Sequence, residues 1–470
     1  MKQLPATSYF SHLGLGSVLL FLLAAGWISS CRPDQEIVDP NPTEAIYFSK
    51  DTVLFDTVFT ERRSITRRVY VKNPNSNAVV VDAINLEGGN ASNYHIWVRG
   101  VRGRSFSNEE ILGGDSLLVL VEVILDPNNQ NLPFLVTDAI SAQLNATRAE
   151  TKLVAWGQDA HYLGDTILDC NTVWNPEKPY VMTGVVLVDS LCTLTIEPGT
   201  KIYSAFNGIL AIRGQLIAEG TPENHILFRN DRLEEDFENA PGQWGGIYLL
   251  EGSSDNRISW ASVRNAQVGF RVGTPDNDTL ADLTLDQVII ENMDNSGILA
   301  FSSDIVATNT LINNCRIYSV GNFIGGHYRY RHCTFASYNF DFFREDPGVV
   351  FSDNIVGDND TVLLGAMDVE MINSVLTGSL DEELLIVATG DVDFRAAIRQ
   401  NLIRSSIPGL EESGNILNVN PGFIDPAEYD YRPDTLSVLQ NTGLNIGIMI
   451  DLDNQVRDSS PDLGAYERIE

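Results

Sequence analysis

The chain has 470 residues, enough for about two or three domains. It carries 31 Lys and Arg residues against 63 Asp and Glu residues, a formal net charge of −32 at pH 7. This charge argues against binding to nucleic acid or electrostatic docking on anionic lipid, because both are negative as well. The charge is compatible with an exported protein that has a highly soluble surface, and with a protein that binds a divalent cation or a cationic partner.

Residues 1–30 are predicted to be a lipoprotein signal peptide. The apolar run from about Leu13 to Ile28 is too short to span a bilayer, which needs roughly 20 residues. It ends in the tetrapeptide Ile28–Cys31, whose apolar residue, two small residues and cysteine resemble a bacterial lipobox. We therefore predict cleavage before Cys31 and acylation of its sulfur, so that acyl chains tether the protein to a membrane. The alternative is an ordinary signal peptide followed by an unrelated cysteine.

Residues 31–45 are polar and contain proline, which predicts an extended linker. Residues 46–160 consist of short β-rich runs between turn formers such as Asn73-Pro74-Asn75. About seven such strands predict an immunoglobulin-like β-sandwich with a spacer role. The strands are expected at Thr52–Phe59, Ile65–Val71, Ala78–Leu86, His95–Val98, Leu117–Ile124, Leu135–Leu144 and Thr151–Trp156.

Residues 161–410 contain an internal repeat of two short strand-like pieces, and its copies follow one another at spacings of 18 to 27 residues. A single unit of this kind cannot bury its apolar side, so a solenoid of stacked coils is predicted. Like residues are expected to stack in a column, with Cys315 over Cys333 and then Asn354, Ser374 and Asn401. The copies are Ile258–Asn265, Leu283–Ile290, Thr310–Ile317, Tyr328–Phe335, Val349–Val356, Val369–Leu376 and Ala396–Ile403.

Cys170 and Cys192 are 22 residues apart, about one coil, which predicts a disulfide between neighbouring coils near the start of the solenoid. Such a bond contributes about 3 kcal/mol on a loop-entropy estimate. Cys315 and Cys333 lie at inward positions and are expected to be buried thiols. No cysteine or histidine pair has the spacing of a structural zinc site, so no metal is predicted.

Four segments resemble the pectate-lyase-like β-helix lipoproteins of Bacteroidetes, namely Leu194–Ile202, Gly214–Phe228, Ala240–Leu249 and Ser460–Glu467. The resemblance implies an all-β chain, with an N-terminal immunoglobulin-like β-sandwich followed by a right-handed single-stranded parallel β-helix with a C-terminal cap. Residues 411–470 are assigned to that cap, because the open end of a solenoid exposes core and strand edges. It also implies a lipid-anchored outer-membrane protein facing the cell surface, but it specifies little chemistry.

The best candidate for a functional site is the patch of His327, Arg329 and Arg331. If Tyr328 and Tyr330 point into the core, these three side chains project outward and could hold an acidic sugar. Arg316, Asp353 and Arg399 are expected outward on the neighbouring coils. A column of carboxylates is not expected, since the repeat places Asn313, Ser352 and Ile372 at the equivalent positions. A solvated face with isolated ion pairs is the structural alternative.

Calcium is a secondary possibility. The sequences Asp276-Asn277-Asp278 and Asp358-Asn359-Asp360 contain suitable oxygen ligands, although turn chemistry explains both. Trp244 and Trp260 could stack on sugar, but the repeat places Trp260 in the core.

Three functions remain open on the sequence. The first is a non-catalytic surface lipoprotein, which would be a scaffold, an adhesin or a glycan-binding module. The second is a polysaccharide lyase or glycoside hydrolase acting on acidic glycans. The third is an accessory subunit of an outer-membrane glycan-uptake assembly, with a polysaccharide or an outer-membrane protein as partner.

Overall fold

The computed structural model describes residues 37–129, 131–273, 280–338, 343–357 and 361–468. The described chain forms two compact units, the first made of residues 37–55, 62–125 and 135–155 and the second of the remainder. Cys31, Asp276–Asp278 and Asp358–Asp360 lie outside the described residues. In the part of the chain described, no helix is long and apolar enough to cross a bilayer.

The first unit is built from two five-stranded sheets. Alternating burial in Ser116–Val123 shows why these runs form strands, since Val119 and Val121 are inaccessible to solvent while Leu118 and Leu120 are not. Ser105–Ile111 was not predicted as a strand, because its sequence is mostly polar. One sheet has the order Tyr47–Phe48, Arg67–Lys72, Ser116–Val123, Tyr94–Val98 and Val101–Gly103, and the other Thr52–Phe59, Thr147–Gln158, Phe134–Leu144, Val79–Leu86 and Ser105–Ile111.

The second unit is a parallel β-helix, as predicted, in which each strand pairs in parallel with strands of the coils before and after it. Its strands stack into three faces, here called A, B and C in the order in which the chain visits them in each coil. Face A contains His161–Leu163, Tyr180–Met182, Lys201–Ser204, Ile226–Asn230, Leu311–Cys315, Thr334–Ser337, Val375–Gly378, Leu402–Ile403 and Ile416–Leu417.

Faces B and C are assembled in the same way. Face B contains Thr166–Ile167, Val185–Val188, Ile209–Ile212, Trp244–Leu249, Ala266–Gly273, Val349–Ser352 and Leu384–Val387. Face C contains Thr172–Trp174, Thr193–Ile196, Gln215–Glu219, Met367–Ile372 and Phe394–Arg399.

Four long strands turn a corner and belong to two faces each. Asn256–Arg264 and Leu283–Met293 pass from face C to face A, while Ser296–Thr308 and Tyr318–Arg331 pass from face B to face C. An antiparallel hairpin of Asn354–Val356 and Val362–Leu364 interrupts the coil before face C resumes at Met367.

Corners between faces C and A are made by single residues in the left-handed conformation. On successive coils these have φ values between +45° and +54°, a region that asparagine tolerates better than most residues. They are Trp260, Gln287, Asn309, His332, Asn373 and Gln400.

The predicted stacking column is correct in its last part and wrong in its first. The Cys333 backbone N–H donates to Ser374 Oγ at 3.1 Å, and the Ser374 N–H donates to Asn401 Oδ1 at 2.8 Å. Cys315, however, lies opposite Met293 at the far end of face A, and Asn354 leaves the stack in the hairpin. The predicted register failed because the bent strands cross corners without a turn signal in the sequence.

The predicted disulfide joins Cys170 to Cys192 on neighbouring coils. Cys315 and Cys333 are buried thiols, and burial raises the pKa of each to about 12. The solenoid core around them is apolar, with fully buried Tyr328, Tyr330 and Phe351 among its largest side chains.

The predicted cap has two parts with different positions. Leu410 and Leu417 pack against the end of the solenoid core, close to the last coil. From Phe423 onward the chain instead covers the outer side of face A. A second apolar cluster forms there from Leu311, Ala336, Val375 and Leu402 of face A and from Phe423, Tyr431, Leu439, Leu452, Leu463, Ala465 and Tyr466 of the C-terminal segment.

Candidate functional site

His327, Arg329 and Arg331 lie on the face C part of Tyr318–Arg331. Tyr328 and Tyr330 between them are fully buried, so the alternation of the strand turns the three basic side chains outward. His327 is the most exposed of the three, and its side chain retains 63% of its accessible area.

Each basic side chain is paired with a carboxylate from a neighbouring coil. His327 Nδ1 lies 2.7 Å from Asp304 Oδ1, and the His327 backbone N–H donates to the same oxygen at 3.0 Å. Arg329 donates to Asp368 Oδ2 at 2.9 Å and Arg331 donates to Glu370 Oε1 at 2.8 Å. We call these six residues the face C ladder.

The expectation that no column of acids accompanies the patch is therefore wrong. Of the three residues predicted at the equivalent positions, Ile372 does lie on face C in register with Arg331, but Asn313 is on face A and Ser352 is on face B. Asp304, Asp368 and Glu370 were therefore missed. Asp368 and Glu370 alternate with buried Val369 and Met371, so the sequence did contain a signal for their outward position.

The other residues expected beside the patch are dispersed. Arg316 follows the end of a face A strand and pairs with Asp294 at 2.8 Å. Asp353 is buried, and its Oδ2 accepts hydrogen bonds from the Thr389 N–H at 2.7 Å and hydroxyl at 2.9 Å. Arg399 does lie on face C, with its Nη2 3.7 Å from Glu370 Oε2.

The ladder holds its basic side chains in place. Arg329 also donates to the backbone oxygens of Tyr328 at 3.0 Å and Asp368 at 2.9 Å, which fixes the guanidinium plane. The arrangement therefore presents a polar surface of fixed donors and acceptors.

A further acid, Asp286, lies on the same face and was not singled out from the sequence. It pairs in register with Thr308, which in turn pairs with Arg331. Burial raises the pKa of the Asp286 carboxyl to about 6, and its Oδ1 has no hydrogen-bond partner among the described residues.

Two kinds of sequence candidate remain, the aspartate-rich segments, which lie outside the described residues, and the two tryptophans. In the described ranges, no group of three or more His, Cys, Asp or Glu side chains is arranged to hold a metal ion. Trp244 is fully buried, and its indole N–H donates to the Arg264 carbonyl at 2.7 Å. Trp260 is also buried, with its ring 5.5 Å from that of His225.

Comparison with protein families identifies one domain. A family model described as a pectate-lyase like beta helix domain matches residues 165–321, within the second unit. No curated protein matches the chain.

Among solved structures, the chain is similar to the catalytic unit of a thermostable GH87 alpha-1,3-glucanase from Streptomyces thermodiastaticus strain HF3-3. The identity is 10%, the match covers 72% of this chain and 73% of that one, and the TM-score is 0.29. A protein of unknown function from Porphyromonas gingivalis W83 is 11% identical, with 26% of this chain and 59% of that one covered and a TM-score of 0.18. At these TM-scores neither likeness bears on function.

Proposed function

We propose that this protein is a lipid-anchored surface protein that binds glycans through the face C ladder without cleaving them. The observation that carries the proposal is the pairing of His327, Arg329 and Arg331 with carboxylates. Fixed, charge-assisted donors and acceptors suit the hydroxyl and carboxylate groups of a sugar. The match to a pectate-lyase like domain supports a polysaccharide as the ligand class.

The pairing also argues against proton abstraction by this patch. A lyase needs a basic residue that accepts a proton from carbon, whereas the Arg329 and Arg331 guanidiniums donate hydrogen bonds to Asp368 and Glu370. We therefore place Arg329 and Arg331 in binding rather than in catalysis.

Binding and cleavage can be measured separately on one panel of soluble polysaccharides: xylan, mannan, dextran and polygalacturonate. Affinity electrophoresis reports binding, and absorbance of unsaturated products with and without Ca²⁺ reports lyase activity. We expect binding of at least one polysaccharide without product, and roughly tenfold weaker binding for R329Q/R331Q. R404Q is the matched control, because Arg404 forms a similar pair with Asp381 at 3.0 Å outside the ladder. Product formation that R329Q/R331Q abolishes would contradict the proposal.

A lyase or glycoside hydrolase acting on acidic glycans is the second candidate. Asp286 favours it, because a carboxyl with a pKa of about 6 on the same face is suited to proton transfer near neutral pH. Reducing-end assays of the unmodified protein and D286N on the same panel test this candidate. Release of sugar by the unmodified protein but not by D286N would establish it in place of the binding function.

The anchor and the location belong to the same proposal. We infer that Cys31 carries the acyl chains, that the residues between it and the first unit form a linker, and that the first unit is an immunoglobulin-like spacer on an outer-membrane protein facing outward. Of the predicted linker 31–45, residues 37–45 belong to the first unit, where the Asp39 N–H donates to the Ala78 carbonyl at 2.8 Å. A role as accessory subunit of a glycan-uptake assembly fits the same location. Labelling cells with an alkynyl palmitate should mark the unmodified protein but not C31A, and protease added to intact cells should digest it. Label retained by C31A would contradict the anchor.

A further inference from the structure

A second surface, on face B, combines half-buried aromatic rings with polar groups. A cleft of about 510 Å³ opens there, lined by Tyr248, Arg271, Leu299 and Phe301, with Gln267 and Asp294 beside them. The strand pairing explains the grouping, since Tyr248, Arg271 and Leu299 are register partners on three successive coils. None of these residues belongs to the face C ladder.

The aromatic surface continues onto the next coil. Phe301 pairs in register with Phe323, and their rings are 6.0 Å apart with an interplanar angle of 27°. Tyr318 adds a third ring, 5.8 Å from that of Phe323. Gly321 makes this possible, because a Cβ there would come within 2.9 Å of both the Tyr318 and the Phe323 ring.

The charged side chains of this surface include one that contacts an aromatic ring, whereas those of the face C ladder contact each other. Arg271 is exposed and lies with its guanidinium carbon 5.6 Å from the centre of the Tyr248 ring, a cation–π contact. Asp294, also at the cleft, is paired with Arg316 at 2.8 Å. Flat rings and hydrogen-bonding side chains therefore alternate within one shallow depression.

We propose that the face B aromatic cleft, defined as Tyr248, Arg271, Leu299, Phe301, Tyr318 and Phe323, is a second glycan-binding site. A pyranose ring has a flat C–H surface and a rim of hydroxyls, which match the rings and the polar side chains respectively. A peptide with an apolar face would bury Gln267 and Arg271 without offering them new hydrogen-bond partners, which is costly. The inference rests on the proposed function only in taking a polysaccharide as the ligand.

The test uses full-length protein and the polysaccharides of the panel above. F301A/F323A is expected to weaken binding roughly tenfold, because stacked rings are typical hot spots. F206A is the control, since Phe206 is a 64% exposed ring outside the cleft. R271A probes the same cleft through an exposed side chain, so a loss of binding in this variant cannot be attributed to misfolding of the core.

The outcomes separate the two proposals. Unchanged affinity in both F301A/F323A and R271A would overturn the cleft, whatever R329Q/R331Q does. Weaker binding in the cleft variants with unchanged binding in R329Q/R331Q would overturn the face C ladder and support the cleft. Failure of the unmodified protein to bind any polysaccharide of the panel would overturn both.

Discussion

At the scale of single residues, the outer side of face C places basic side chains in contact with carboxylates. Strand alternation brings Arg329 and Arg331 outward, and parallel pairing brings Asp368 and Glu370 beside them. Because both partners are partly exposed, each pair contributes little to stability.

Asp286 should make stability depend on pH. Its carboxyl has a pKa of about 6 in the folded protein against 3.8 as the ordinary value, so the folded state favours the protonated form. The stabilising contribution is present in acid and is lost as the pH rises from about 4 through about 6. The D286N side chain stays neutral at every pH. The melting temperature of D286N should therefore rise relative to that of the unmodified protein as the pH increases from about 4 to about 7. D391N, at an exposed position, is the control; a constant difference for D286N would contradict the prediction.

At the scale of elements, the C-terminal segment is joined to face A by buried polar contacts as well as by apolar packing. Arg457 and Glu467 form an ion pair at 3.1 Å with side chains only 1% and 6% exposed. Arg457 also donates to Asn309 Oδ1 at 2.9 Å, which ties the segment to the corner between faces C and A.

Removing one partner of this buried pair should be costly. R457M leaves the Glu467 carboxylate without its cation in a dry site, so we expect a loss of about 3 kcal/mol in the free energy of unfolding. R432M is the matched control, because Arg432 pairs with Asp430 at a half-exposed position of the same segment and should cost less than about 1 kcal/mol. Urea denaturation measures the free energy of unfolding of both variants. Equal losses would show that burial does not increase the contribution of the Arg457–Glu467 pair to stability.

The Cys170–Cys192 bond should stabilise the first coils. Replacing both residues by serine is expected to lower the free energy of unfolding by about 3 kcal/mol, because the bond closes a loop in the unfolded chain. Mass spectrometry of unfolded protein should show two more alkylated thiols after reduction than before it. An unchanged thiol count would mean that the bond does not form in the protein.

At the scale of the whole molecule, the formal net charge of −32 is the dominant electrostatic feature. Like charges repel within a compact chain, and salt screens that repulsion. The melting temperature should therefore rise as NaCl increases from about 10 mM to about 150 mM, where the Debye length falls to about 8 Å. Differential scanning fluorimetry can follow the rise; a flat or falling melting temperature would contradict it.

The sequence predicted the β-helix because repeated alternation requires stacking, and it predicted the Cys170–Cys192 bond because one coil separates the two residues. It did not predict the partners of the candidate site, which depend on the register between coils. Asp304 lies beside His327 because Ser296–Thr308 bends from face B to face C, and the sequence carries no signal of that bend. The aromatic cleft depends on a small residue, Gly321, beside the rings of Tyr318 and Phe323, and on the register that brings Phe301 next to them from the preceding coil.

The C-terminal segment that covers face A affects how the protein unfolds. A stack of coils held only by nearest neighbours can fray one unit at a time from an end. Here residues 148 positions apart, Asn309 and Arg457, are joined directly, and the same segment contacts Leu311, Ala336, Val375 and Leu402 on successive coils. These coils cannot fray singly, so the second half of the solenoid should unfold as one cooperative block while the first half retains the graded behaviour of a repeat protein.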